Sequence, residues 1–226
     1  MSTAAGQAGP AVRRYYAAMS APFLIDVVTT VAYTAINSTL LKLLPLVVVS
    51  GVFLLLGVGI GAWVLIEPVR RLLRGDAPFA TVELRLASLP RHSAMLVGVL
   101  YTPMMALRLF LPKLDPTYAA TIDTAWIDAV SSFLVITSFN VVLTFFVVSA
   151  YLDGLCNHLF ITRGINLAVF HGTFRRKIGV AVLFASFAGL TLLAGDIASY
   201  GDEHLIREAS VDLIAAVIGG IITYYW

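Results

Sequence analysis

Residues 43–66 read LLPLVVVSGVFLLLGVGIGAWVLI and are followed by Glu67 and Pro68. The stretch has no charged side chain, and as an α-helix it would be about 36 Å long, enough to cross the hydrocarbon core of a bilayer. Its apolar residues do not alternate with polar ones, which favours a helix over a β-strand. The stretch therefore predicts a transmembrane helix that ends where charge and proline begin.

Four more stretches have the same apolar character. Hydrophobic residues make up 59% of the 226 residues and charged residues only 12%, whereas about a quarter of a soluble domain is charged. A soluble globule of this length could not bury so much apolar surface, and backbone inside a bilayer must satisfy its own hydrogen bonds. We therefore predict an all-α polytopic membrane protein, a bundle of six transmembrane helices. The other strongly apolar spans are 93–111, 129–150, 178–197 and 211–226.

The remaining span, which comes first in the chain, is assigned to residues 17–40. These residues are less hydrophobic because they contain Asp26, Asn37 and several threonines. Such a segment can also lie along the membrane surface as an amphipathic helix. Its length and the short connection to the next helix favour a span. We therefore predict a cytoplasmic N-terminal segment at 1–16 and a membrane domain at 17–226.

The orientation follows from the basic residues, which are concentrated before the first span and in the loops 67–92 and 151–177. These two loops are separated by two spans, so they lie on the same side. Short cytoplasmic loops carry an excess of lysine and arginine, and the opposite loops are rich in Asp. We therefore predict a multi-pass protein of the bacterial inner membrane with both termini in the cytoplasm. The basic residues are Arg13, Arg14, Arg70, Arg71, Arg74, Arg85, Arg91, Arg163, Arg175, Arg176 and Lys177.

The chain ends on Tyr224, Tyr225 and Trp226. Aromatic residues favour the membrane interface, so the last span is expected to reach the cytoplasmic face there. No polar tail follows, which leads us to expect a membrane domain taken from a longer protein; a natural terminus is the alternative.

Polar side chains within the spans are candidates for function, because a polar group in lipid is costly. We expect Arg108 to pair with an aspartate such as Asp128 or Asp212 across the bundle. The alternatives are a ligand-sensing or ion-coupled network and residues that extend to the interface and hold the helices in register. The candidates are Asp26, Asn37, Arg108, Asn140 and Asp212.

Gly57 and Gly61 form a G-x-x-x-G pair in the span 43–66. Small residues at this spacing let two helices approach closely. The pair predicts packing within the bundle, and a contact between two copies is the alternative.

The chain has no recognisable catalytic, nucleotide-binding or metal-binding motif. Its one cysteine, Cys156, excludes an internal disulfide, and none of the four histidines lies in the middle of a span, as axial haem ligands would. The net charge of +2 does not indicate nucleic-acid binding. We therefore expect no catalytic residue, no metal and no cofactor in this domain.

The loop after the second span carries a family resemblance. Residues 67–75 read EPVRRLLRG and residues 83–90 read ELRLASLP. This pattern resembles the six-transmembrane N-terminal domain of bacterial class III adenylate and guanylate cyclases, and the second basic loop, 151–177, is similar. The resemblance covers most of the chain from about residue 40. It implies an anchoring membrane domain that acts as a homodimer, followed by a HAMP linker and a catalytic domain that makes cAMP from ATP.

On this resemblance we expect a regulatory domain that dimerises the cyclase and senses a lipophilic or membrane-borne signal, which passes through the last helix. A cleft lined by Asn37, Arg108 and Asn140 is the expected ligand site. A small transporter or channel is the alternative, and it would need a continuous polar path and broken helices, for which Pro103 is the candidate kink. A membrane-embedded enzyme would need clustered catalytic groups, and the spans contain none.

Overall fold

The computed structural model describes residues 4–36, 40–114 and 126–164, and these residues are helical almost throughout. The predicted spans 178–197 and 211–226 lie outside the described residues. The helices are α1 (Ala4–Ile36), α2 (Leu40–Leu65), α3 (Glu67–Arg74), α4 (Phe79–Ala87), α5 (Leu89–Leu114) and α6 (Trp126–Arg163).

Three helical segments are long and apolar enough to cross a membrane: Leu44–Arg74, Leu89–Leu111 and Ala129–Thr162. They correspond to the second, third and fourth predicted spans. The expectation of an all-α, multi-pass membrane protein is therefore confirmed at the level of these three helices. The total of six spans remains a prediction.

The four long helices run alternately up and down. Phe23 of α1 contacts Gly51 of α2, whereas Tyr16 lies beside Val58 and Gly59. Contacts thus move backwards along α2 as α1 advances, so the two helices are antiparallel. Gly61 likewise meets Leu96 of α5.

The helix neighbours define a square when the bundle is viewed along its axis. The closely packed pairs among the long helices are α1 with α2, α2 with α5, α5 with α6, and α6 with α1. Hence α1 and α5 run parallel at opposite corners, and any side chain that joins them must cross the centre of the bundle.

Helix α1 is not among the segments apolar enough to span a membrane. It is nevertheless packed lengthwise against α2 and α6, and Tyr15, Ala18, Met19 and Asp26 on one side of it are buried. A helix that lay flat at the interface could not pack against two neighbouring helices over the stretch from Tyr15 to Asp26. The packing therefore favours a span over the surface position considered above.

The boundary between α2 and α3 is a local break in an otherwise continuous helix. Ile66 N–H donates to Ala62 O at 3.0 Å, and Arg70 N–H donates to Ile66 O at 3.1 Å. Pro68 has no N–H, so the helical hydrogen bond to the carbonyl four residues earlier cannot form there. The predicted stop at Glu67 and Pro68 is thus a break after which the chain continues as a short helix.

Two helices end at an arginine that is followed by glycine, Arg74-Gly75 and Arg163-Gly164. Gly75 has φ 82°, and Asp76 N–H donates to Arg71 O at 2.9 Å. Gly164 has φ 64°, and its N–H donates to Phe160 O at 3.0 Å. Glycine is favoured at both positions because the left-handed conformation is strained for other residues.

Two helices extend well beyond the predicted limits of their spans. Helix α6 continues to Arg163, although its span was predicted to end at residue 150, and α1 begins at Ala4 within the segment predicted to precede the membrane. Leu152, Leu155 and Leu159 are buried and keep the helical spacing. Hydropathy marks where lipid ends, whereas these helices continue because protein packing covers their apolar faces.

The extensions build a second layer on the predicted cytoplasmic side. Helix α3 packs on α1 and α4 and buries Val69, Leu72 and Leu73. Val82 and Leu86 of α4 join the same hydrophobic core. The core of the bundle therefore continues past the predicted ends of the spans into this layer.

Candidate functional site

Three polar side chains from three helices meet in the core. Arg108 of α5 donates from Nη1 to Asp26 Oδ2 of α1 at 2.8 Å and from Nε to Ser50 Oγ of α2 at 2.7 Å. Ser50 in turn donates to the carbonyl oxygen of Val47 at 3.1 Å. We call Asp26, Ser50 and Arg108 the core triad.

The three side chains of the core triad are buried inside the bundle. Asp26 is 5% exposed, Arg108 9% and Ser50 0%. Ser50 is six positions after Leu44, where the apolar segment begins, so the triad lies about 9 Å inside that end of the helix. This depth is on the predicted outer side of the bilayer. Two opposite charges at such a depth stabilise each other, because neither has water to replace its partner.

The triad leaves hydrogen-bonding capacity unused. Arg108 Nη2 and the hydroxyl of Tyr101 are buried and have no hydrogen-bond partner among the described residues. Tyr101 lies two turns before Arg108 on α5 and within electrostatic range of Asp26. Unpaired donors in a core are costly, so this part of the bundle is suited to hold a water molecule or another small acceptor.

A second polar contact joins α1 and α5 nearer the predicted cytoplasmic end of the bundle. The hydroxyls of Tyr15 and Ser93 are 2.8 Å apart, and both residues are buried. The ring of Tyr15 also lies 5.4 Å from that of Tyr151 on α6. Helices α1 and α5, at opposite corners of the square, are therefore joined by polar contacts at two heights.

The expected pairing of Arg108 differs from the one observed. We expected an aspartate such as Asp128 or Asp212, and the structure pairs Arg108 with Asp26. The side chain of Asp128 and all of Asp212 lie outside the described residues. Because Arg108 is buried and paired, it does not extend to the interface as the alternative interpretation proposed.

The structure does not bring Asn140 into the triad. Its Nδ2 donates to Ile136 O of its own helix at 2.9 Å, and Thr144 Oγ1 donates to Asn140 O at 2.6 Å. Asn140 Oδ1 is buried without a partner among the described residues. Asn37, the third residue of the expected ligand cleft, lies outside the described residues.

Gly57 and Gly61 lie against α5. A Cβ atom on Gly57 would come within 2.8 Å of Leu100, and one on Gly61 would overlap Leu96. The glycine pair therefore packs within the bundle, as the first of the two interpretations holds. Gly59, between them, has no atom within 4 Å of its Cβ position.

Sequence reasoning missed Ser50, Tyr15 and Ser93. Ser50 is the only hydroxyl side chain in the otherwise apolar stretch 43–66, and this isolation was a usable signal. Tyr15 carried no signal, because it falls in the segment assigned to the cytoplasm.

The described residues contain no group of three or more His, Cys, Asp or Glu side chains that could hold a metal ion. Cys156 is free and half-buried. His92 and His158 are exposed, so neither of these two is placed to ligate a buried haem, while His171 and His204 lie outside the described residues.

Comparisons of the chain with protein-family models, with curated proteins and with solved structures found no match.

Proposed function

We propose that this chain is the regulatory and anchoring membrane domain of a bacterial class III adenylate cyclase, in which a homodimer conveys a lipophilic or membrane-borne signal through the last helix. The resemblance of residues 67–75 and 83–90 to that family supports the proposal. In this role the chain itself carries no catalytic residue and positions an output domain.

The core triad is the observation that carries the proposal. Its side chains bond to one another across the bundle axis, which holds α1, α2 and α5 in fixed register. A signalling domain needs such a rigid part, against which one helix can shift and bias the arrangement of the output domain. In our account the helices joined by the triad form the fixed part and the last span moves.

Three buried polar side chains of α6 also support a closed bundle. Asn140, Thr144 and Ser149 donate to backbone carbonyl oxygens of α6 itself. Side chains bonded to their own helix do not need to face a water-filled passage. Helix α5 also continues without interruption through Pro103, which had been the candidate kink of a transporter.

A small transporter or channel is the second candidate, and one observation favours it. Unpaired buried polar atoms occur at the outer, middle and inner heights of the described helices, and water could link them into a path. These atoms are Arg108 Nη2, Tyr101 OH, Thr137 Oγ1, Asn140 Oδ1 and Tyr151 OH.

A fusion protein separates the two functions. Residues 1–226 would be joined to the catalytic domain of a class III cyclase that dimerises weakly alone, and cAMP formation would be measured in membranes. We expect the fusion to be more active than the free catalytic domain at equal concentration, because the membrane domain brings two copies together. Equal activities would contradict the proposal. Proton or ion flux into proteoliposomes of residues 1–226 that Tyr101→Phe abolishes would establish the transporter instead.

A further inference from the structure

The predicted cytoplasmic end of the bundle carries exposed arginines that have no ion-pair or hydrogen-bond partner among the described residues. Arg70 and Arg71 share Glu67, at 3.8 Å and 3.1 Å, and Arg70 also lies 5.9 Å from the ring of Trp63. The remaining arginines described at this end make no ion pair or hydrogen bond to any described residue, and all are exposed. We call them the free arginines: Arg13, Arg14, Arg74, Arg85 and Arg91.

The acidic side chains at this end do not balance them. Glu67 is already engaged by two arginines, and Asp153 has interactions of its own. Asp76 and Glu83 are the other acidic residues described there. The described side chains at this end therefore leave a positive surface that is available to external anions.

On the predicted topology, the free arginines would lie close to the lipid headgroups. Helix α3 adds 8 residues after the apolar stretch 43–66, about 12 Å along its axis. The headgroup layer is about 5–8 Å thick on each side. An arginine stem can extend back over the remaining distance. Trp63, 57% exposed, is the kind of residue that marks this interface.

Helix α3 is oriented so that its charged side chains, and not its apolar ones, are available to the headgroup layer. Its apolar residues Val69, Leu72 and Leu73 are buried, so they are not free to insert into lipid. The free arginines come from four different helices: α1, α3, α4 and the start of α5. A spread positive surface at headgroup depth fits many headgroups at once rather than one soluble anion.

We propose that the free arginines bind the phosphates of anionic phospholipids in the cytoplasmic leaflet, so that the α3–α4 layer is held on the membrane surface. This lipid-binding surface is separate from the core triad and does not depend on the signalling role. It also differs from the effect of loop charge on membrane insertion, because it acts in the folded protein.

The test uses two variants with the same change in charge in the same loop. In Arg74→Gln/Arg91→Gln two free arginines are removed, and in Arg70→Gln/Arg71→Gln the two that share Glu67 are removed. Each protein would be placed in nanodiscs of phosphatidylglycerol and phosphatidylcholine, and the lipids retained on the protein would be counted by native mass spectrometry.

We expect the wild type to retain phosphatidylglycerol above its bulk share, with about fivefold weaker retention per free arginine removed. The Arg70→Gln/Arg71→Gln control should keep the wild-type enrichment. Enrichment should also fall in the wild type as NaCl is raised from about 0.05 M to about 0.5 M, a measurement that needs no variant.

Three outcomes would overturn the proposal. They are bulk lipid composition around the wild type, equal losses in the two double variants, and displacement of the lipid by millimolar inorganic phosphate. The last outcome would assign the surface to a soluble phosphate.

Discussion

Arg108 and Asp26 are 82 positions apart in the sequence and belong to helices at opposite corners of the bundle, yet Arg108 Nη1 lies 2.8 Å from Asp26 Oδ2. The pair therefore crosses the bundle axis, where α2 and α6 flank it on either side. Ser50 of α2 accepts a second bond from the same guanidinium. One side chain thus sets the relative height of three helices.

Removing one partner of the ion pair should cost more than removing both. Asp26→Asn leaves the Arg108 charge buried without its counterion, and we expect it to lower the free energy of unfolding by about 3–5 kcal/mol. The double variant Asp26→Leu/Arg108→Met leaves no buried charge and should be more stable than Asp26→Asn. Unfolding in detergent micelles measures both, with Thr102→Ala on the exposed face of α5 as the control. A double variant less stable than the single one would show that the charges do not depend on each other.

Ser50→Ala removes the acceptor of Arg108 Nε without changing charge. A hydrogen bond to a charged group contributes about 1.5–3 kcal/mol, so we expect a loss of this order in the same unfolding measurement. Ser50→Thr retains the hydroxyl and should recover most of the stability. Equal losses in the two variants would indicate that packing at this position matters and the hydrogen bond does not.

Three of the four glycines of α2, namely Gly57, Gly59 and Gly61, give a graded series. Gly61→Ala should destabilise most, because its Cβ overlaps Leu96, and Gly57→Ala should follow, with its Cβ 2.8 Å from Leu100. Overpacking of this kind costs about 1–3 kcal/mol. Gly59→Ala, with no atom within 4 Å, should be neutral or slightly stabilising, because alanine favours a helix. Thermal unfolding of the three variants would contradict this packing if Gly59→Ala were the least stable.

The contact between Tyr15 and Ser93 predicts an energetic coupling at the inner height. Tyr15→Phe keeps the ring against Tyr151 and removes only the hydroxyl, so we expect a loss of about 1 kcal/mol. Ser93→Ala should add little when Tyr15→Phe is already present, which a double-mutant cycle measures. Fully additive losses would mean that the two hydroxyls do not interact.

The spans that the structure describes were predictable because, in a chain this hydrophobic, a long apolar run indicates a transmembrane helix. Leu44–Arg74 contains nearly all of the stretch 43–66 for this reason. The close packing of Gly57 and Gly61 was also foreseeable, since i, i+4 glycines create a groove on one helix face. These inferences use only residues near each other in sequence.

The partner of Arg108 was not predictable in the same way. Sequence order indicates that α1 adjoins α2, but it does not indicate which helix lies diagonally opposite α1. That helix is α5, and Asp26 of α1 therefore faces Arg108 of α5 across the bundle. The end of α6 was misplaced for a related reason. Hydropathy falls near Tyr151, while Leu152, Leu155 and Leu159 remain buried against neighbours that no local pattern reveals.

We predict that α1 crosses the membrane within the bundle, which would place the Asp26–Arg108 pair inside the bilayer. Cysteines at Gly9, Ala80 and Leu114, all exposed, would be introduced singly into a Cys156→Ser background. A membrane-impermeant maleimide would then be added to right-side-out bacterial vesicles before and after permeabilisation.

Helix α2 crosses the membrane, so its first residues lie on the side opposite to Ala80. Residue 9 lies on the same side as Ala80 if α1 also crosses the membrane, and on the opposite side if it does not. We predict that the Gly9→Cys protein, like the Ala80→Cys protein, is labelled only after permeabilisation, and that the Leu114→Cys protein is labelled from outside. Labelling of Gly9→Cys in intact vesicles, together with Leu114→Cys, would show that α1 does not cross the membrane and would contradict the account.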